Sequence, residues 1–186
     1  NMGLSPKLES NQGDFFFLCR RTPDRLVQTV VELVQKRLPE NMGIAGDQIQ
    51  VLSPTRKGGV GTKELNRTLQ AKLNPAAPDK RERPWGDVVF REGDRVMQIR
   101  NNYDMTWRKT DGTVIGQGVF NGDVGSITQI DPAMETVTVL FDDREADYDF
   151  SQLGELELAY AMTVHKSQGS EYRCVILTCW NGSPYL

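Results

Sequence analysis

Apolar positions change their spacing along the chain, and each change marks an element. Residues 1–13 are polar and broken by Gly3, Pro6 and Gly13, which predicts a loose lead-in. Between Asp14 and Arg20 the run Phe15, Phe16, Phe17, Leu18 is continuous but brief, the length of a buried strand and too short for a helix. Thr22 then offers an N-cap with Pro23 at the first helical position, where its missing N–H costs nothing. Leu26, Val30, Leu33 or Val34, and Leu38 form one stripe at helical spacing, and Pro39 is expected to end that helix. Gln48 to Leu52 predicts a second buried strand and Pro54 to Gly61 a loop. A helix is predicted from Thr62 to Leu73, with Leu65, Leu69 and Leu73 on one face. Strand, helix, strand, loop, helix is the rhythm of a parallel α/β sheet.

From about Pro84 the rhythm gives way to short β segments: Val88 to Phe90, Arg95 to Ile99, Thr113 to Ile115, Val124 to Ile130, Thr136 to Phe141 and Ala146 to Phe150. Glu92-Gly93-Asp94, Asn121-Gly122-Asp123 and Asp131-Pro132 suit tight reversals between them. A small antiparallel barrel over residues 84–152 is expected. Leu156 to Met162 and Arg173 to Thr178 return to buried-strand character, so the barrel is an insertion in a discontinuous α/β unit of residues 14–83 and 153–186.

A length of 186 residues suits one core plus a small inserted module. No apolar run is long enough to span a bilayer and the first residues lack a secretory pattern, so no membrane association and a cytoplasmic location are expected. Cys19, Cys174 and Cys179 show no paired ligand spacing, which favours free thiols and no metal site. The net charge of −3 gives little bulk attraction to phosphate. Local patterning differs: basic residues dominate 53–83 and acidic ones 142–157. By itself that pattern also describes a solvated helix face and a solubilising hairpin.

The densest chemistry lies at Thr163-Val164-His165-Lys166-Ser167-Gln168-Gly169-Ser170-Glu171-Tyr172, which holds the lone histidine and runs directly into the apolar Val175 to Leu177. This string resembles motif V of superfamily 1 DNA helicases, in the form used by the RecD-like group that includes the exodeoxyribonuclease V alpha chain. Two further stretches resemble the same family. One is Ser53-Pro54-Thr55-Arg56-Lys57-Gly58 with Leu65-Asn66-Arg67-Thr68-Leu69-Gln70 and Leu73-Asn74-Pro75. The other is Gly93-Asp94-Arg95-Val96-Met97-Gln98 with Asn101-Asn102-Tyr103 and Phe120-Asn121-Gly122-Asp123-Val124-Gly125. The resemblance implies an incomplete RecA-like (P-loop NTPase-type) parallel-sheet domain, the second of a motor, carrying an inserted SH3-like barrel.

No Gly-x-x-x-x-Gly-Lys-Ser/Thr loop or Walker B carboxylate is found. Gly58-Gly59-Val60-Gly61-Thr62-Lys63 has the wrong order and suits a turn. The resemblance therefore implies a C-terminal motor fragment, inactive alone, whose parent hydrolyses ATP with Mg2+ and moves 5′ to 3′ on single-stranded DNA. In that family the motif IV arginine meets the terminal phosphate, a role matched here by Arg56, and Gly169 and Glu171 match positions near the nucleotide. A carboxylate repels phosphates, so Glu171 is expected at ribose hydroxyls. Thr163 and His165 match the DNA-contacting part of motif V, and Lys166 adds a phosphate contact. Gln168 is a candidate link across the loop; Asn66, Gln70 and Asn74 fit either the cleft or a plain polar helix face. Implied partners are single-stranded DNA, the first RecA-like domain of the parent and subunits of a nuclease–helicase complex. Two other readings compete: the helicase part of a relaxase-type or Pif1-like protein, and a non-catalytic nucleic-acid-binding module in which the barrel does the work.

Overall fold

The computed structural model describes residues 13–180. Helix α1 (Pro23–Glu32) begins as its sequence predicts, the Thr22 hydroxyl accepting the Arg25 N–H while Val27, Val30 and Val31 are buried. Pro39 does not end it. The chain widens into a π turn at Leu33–Arg37, where the Leu38 N–H donates to the Leu33 carbonyl, and continues as α2 (Leu38–Met42) until Gly43, at φ 62°, closes it. The wider turn gives room to the proline ring, whose missing N–H would otherwise break the helical ladder. Strand β1 (Ile49–Ser53) is buried throughout. Helix α3 (Thr62–Leu73) packs Leu65 and Leu69 into a core with Val30, Val34 and Val51.

A hairpin of β2 (Glu82–Trp85) and β3 (Val88–Arg91) leads into a seven-stranded antiparallel sheet. Its members are β4 (Arg95–Gln98), β5 (Asn102–Lys109), β6 (Ile115–Val119), β7 (Val124–Asp131), β8 (Thr136–Phe141), β9 (Arg144–Asp149) and β10 (Leu156–Leu158), in the order β10-β4-β7-β8-β9-β5-β6. Val96, Ile127, Ile130, Val137, Val139, Phe141 and Tyr148 form its core. Strand β5 escaped the apolar pattern because only Met105 and Trp107 point inward among polar neighbours; it is held by pairing with both β6 and β9. Strand β6 runs from Ile115 to Val119, not from Thr113 to Ile115 as expected. Glycine is unfavourable in a strand interior, yet at Gly116 the Trp107 ring lies where any Cβ would sit.

The single buried strand expected from Leu156 to Met162 divides in two. After β10 the chain turns at Ala159–Tyr160 and enters a second sheet as β11 (Ala161–Thr163), joined later by β12 (Cys174–Leu177) in the all-parallel order β11-β1-β12. Asn66 of α3 makes the break possible. Its carbonyl accepts the Ala161 N–H at 2.7 Å, and its amide donates to the Leu158 and Ala161 carbonyls at 2.8 and 2.9 Å.

The expected strand at Asp14 to Arg20 is absent. That segment pairs with none of the described strands, and Phe15, Phe16, Phe17 and Leu18 remain exposed because no layer covers them. Strand β12 is likewise buried on one face only: Cys174 and Ile176 pack toward the helices, whereas Val175 and Leu177 are exposed.

Between β3 and β4, Asp94 is completely buried. Its Oδ1 accepts from Asn74 at 2.7 Å and the Tyr160 hydroxyl at 2.9 Å, and its Oδ2 from Gln70 at 2.6 Å and the Arg91 N–H at 2.7 Å. Burial raises the Asp94 pKa above the ordinary carboxylate range, opposed by these four bonds, which favour the charged form. Replacing the carboxylate by an amide sets an NH2 against donors. Asp94→Asn is expected to lower unfolding free energy by about 2–4 kcal/mol in urea titrations. A raised folded-state pKa contributes stability that is complete below the unfolded value of about 3.9 and lost as pH rises through the folded value. That downward contribution should vanish from the stability–pH curve of the variant.

Candidate functional site

Strands β1 and β11 end side by side, Ser53 in register with Thr163. Because the pairing is parallel, the loops that follow leave the same edge of the sheet, the edge at which open α/β sheets bind ligands.

The first loop is fastened by its own backbone. The Ser53 hydroxyl donates to the Val60 carbonyl at 2.9 Å, while the Thr62 and Lys63 N–H groups donate to the Thr55 and Arg56 carbonyls at 3.0 and 3.2 Å. Loop carbonyls thus satisfy the opening donors of α3 in place of a side-chain cap. A Cβ on Gly61 would lie 2.6 Å from backbone atoms of Arg56 and Lys57, so only glycine permits this closeness. Arg56 is consequently fixed by its backbone at the head of α3, with its side chain 64% exposed.

The second loop starts at half-buried Thr163 and continues as a 3-10 turn, Val164–Ser167, that leaves His165 exposed. The Ser167 hydroxyl donates to the Val164 carbonyl at 2.8 Å, and Gly169 reverses the chain at φ 82°, a conformation that favours glycine. Glu171 beyond it is exposed. Gln168 is exposed too, and its side chain makes no bond across the loop among the described residues.

Glu157, on β10, joins the two loops. One carboxylate oxygen accepts from Arg56 at 2.5 Å and the other from Lys166 at 2.9 Å. Composition gave no reason to single it out, although the Leu156-Glu157-Leu158 alternation would turn a charge outward from a strand with two buried neighbours.

Asn66, Gln70 and Asn74 neither line the cleft nor form a solvated face. Their four-residue spacing places all three on the side of α3 that meets the barrel, where Asn66 holds the β10–β11 turn and the other two bond Asp94. Part of the regional charge is locally balanced. Arg108 pairs with Glu145 at 3.2 Å and Asp147 at 2.7 Å, Lys109 with Asp143 at 2.9 Å, and Lys63 with Asp87 at 2.7 Å.

Residues 158–185, which hold the end of β10, β11, the second loop and β12, match the family model of the UvrD-like helicase C-terminal domain. Residues 65–141 match the SH3 domain of ATP-dependent RecD-like DNA helicases. The chain belongs to the RecD-like superfamily 1 helicases. It is 36% identical over 128 residues to the ATP-dependent RecD2 DNA helicase of Deinococcus radiodurans, covering 69% of this chain and 16% of that protein. The RecBCD enzyme subunit RecD of Mycobacterium tuberculosis is 29% identical over 125 residues, 67% of this chain and 19% of that one. The chain therefore spans a small part of the length of these relatives. Among solved structures, the Pif1 helicase from Bacteroides in complex with ADP-AlF3 and ssDNA is similar at a TM-score of 0.45 and 16% identity, over 87% of this chain and 40% of that chain.

Asn66→Ala would strip three backbone groups of their partner beside the second loop. A loss of about 1–3 kcal/mol in unfolding free energy is expected, together with faster hydrogen exchange at Ala161 and Met162.

Proposed function

We propose that this chain is the C-terminal motor part of an ATP-dependent DNA helicase moving 5′ to 3′, supplying half of the ATP site and half of the single-stranded DNA track. The observation that carries this reading is the register of Ser53 with Thr163, which sets the Arg56 loop and the His165 loop on one sheet edge. In this reading residues 14–83 and 153–186 belong to a discontinuous RecA-like domain and residues 84–152 to its inserted barrel, except that β10 (Leu156–Leu158) pairs with β4 and carries the barrel sheet on to Leu158. The three-stranded parallel sheet supports it: the chain leaves the sheet after β1 and rejoins it in register at β11.

Arg56 is assigned to the terminal phosphate of ATP. An exposed guanidinium held by one carboxylate is free to turn to phosphate oxygens, which its planar fork matches. Gly169 and Glu171 approach the nucleotide, Glu171 at the ribose hydroxyls. ATP and Mg2+ belong to the parent protein, where Mg2+ offsets charge on the transferring phosphoryl group and the first RecA-like domain holds it. Thr163, His165 and Lys166 face single-stranded DNA: the hydroxyl and ammonium donate to phosphate oxygens, and the exposed ring stacks on a base or donates without demanding a sequence.

The reading in which the barrel alone binds nucleic acid draws on a different observation. Tyr103 is 67% exposed and meets Phe120 edge-on, ring centroids 5.7 Å apart.

In the intact parent, His165→Ala should weaken oligo(dT) binding by roughly 1–3 kcal/mol, the cost of a lost stacking contact, and leave DNA-independent ATP hydrolysis intact. Arg56→Ala should lower turnover by about 10³ or more, with a change in DNA affinity that is small beside it. Parallel loss of both activities with a lowered melting temperature in both variants would contradict this division of labour.

A further inference from the structure

Glu157 is flanked by buried Leu156 and Leu158 and paired through β10 with Met97, so its backbone is set in the barrel sheet while its carboxylate emerges. The two cations that meet it come from elsewhere. Arg56 rides on the loop after β1, and Lys166 on the turn after β11; their side chains are 64% and 25% exposed, that of Glu157 30%. Each takes its own oxygen of the same carboxylate. One anion is shared between a cation assigned to nucleotide and a cation assigned to DNA.

From this geometry we infer that Glu157 is a positioning residue that sets the nucleotide phosphate and the DNA backbone against each other. A terminal phosphate that draws Arg56 away leaves the whole carboxylate charge to Lys166, which is then held more firmly and is less available to a nucleic-acid phosphate. DNA that takes Lys166 leaves Glu157 to Arg56 by the same logic, and linkage makes the two effects equal in binding free energy. All three side chains are partly solvent-accessible, so the coupling is modest and weakens with salt. The inference rests on the proposed assignment of Arg56 to nucleotide and Lys166 to DNA.

A double-mutant cycle on the chain tests it, with fluorescence anisotropy of labelled oligo(dT) at low ionic strength as the readout. Glu157→Gln frees Lys166 and should tighten binding by about two- to five-fold, the range expected of an accessible ion pair. Arg56→Ala, which mimics withdrawal of the guanidinium, should weaken binding by a similar factor in the parent background. In the Glu157→Gln background it should change nothing. If Arg56→Ala weakens binding equally in both backgrounds, Arg56 acts on DNA by its own charge and the inference is overturned. Lys166→Ala separates the two levels of the account. A loss of affinity on Lys166→Ala with a flat cycle removes the coupling alone, whereas unchanged affinity, or no binding by the unmodified chain, removes the DNA assignment and the coupling with it. Competitive labelling of the Lys166 amine without DNA gives a second readout: Arg56→Ala should lower its reactivity and Glu157→Gln should raise it. Equal reactivity in all three proteins would also overturn the shared pair.

Discussion

The carboxylate of Asp94, sealed from water and surrounded by donors, joins the parts of the molecule that sequence separates. Gln70 comes from α3 and Asn74 from its C-cap, Tyr160 from the turn between the two sheets, and the Arg91 N–H from the end of β3. A buried charge is tolerated only when its lone pairs are met, and here four donors meet them. Removing any donor unbalances the others, so the position of α3 relative to β4 and β11 is specified by polar geometry and not by apolar packing alone. Burial also raises the Tyr160 hydroxyl pKa, and the neighbouring Asp94 charge raises it further, which keeps Tyr160 a donor throughout the physiological range.

That joint positions the candidate site indirectly. Helix α3 carries the Arg56 loop at its head and Asn66 on its barrel-facing side, and Asn66 sets the point at which the chain stops being barrel and becomes parallel sheet. Three residues later Thr163 opens the second loop. The two loops are therefore registered to each other through the β1–β11 pairing beneath them and through α3 behind them. Glu157 then bridges them from the barrel side. The barrel is in contact with the site through this one charged side chain as well as through its strands.

Much of this was legible in the sequence wherever apolar periodicity and local chemistry agreed. Thr22-Pro23 marked a helix start, Gln48 to Leu52 a buried strand, and the Thr163–Tyr172 string the polar chemistry beside the apolar Val175 to Leu177. Failures had physical causes. Phe15 to Leu18 carries the apolar content of a strand but meets no partner strand, and a strand is defined by pairing, which one segment cannot reveal. Pro39 passes through a helix because a π turn, invisible to propensity, makes room for it. Leu156 to Met162 looks continuous because both halves are buried, while the break is imposed by Asn66, distant in sequence. Gln70 and Asn74 fit either a cleft or a polar helix face, and Asp94 a tight reversal, because composition cannot show that three polar groups satisfy one another out of water. Glu157 gained its place only through contacts with residues distant in the chain or on another turn.

The central claim is that nucleic acid is engaged at the sheet edge by the loop after β11. Titrating the 15N-labelled chain with oligo(dT) and following its backbone amide resonances addresses that claim residue by residue. The account predicts the largest shifts between Thr163 and Gly169, with smaller ones at Arg56 and Lys57. Shifts centred on Tyr103 and Phe120, with the Thr163–Gly169 amides unmoved, would contradict it and assign the binding to the barrel.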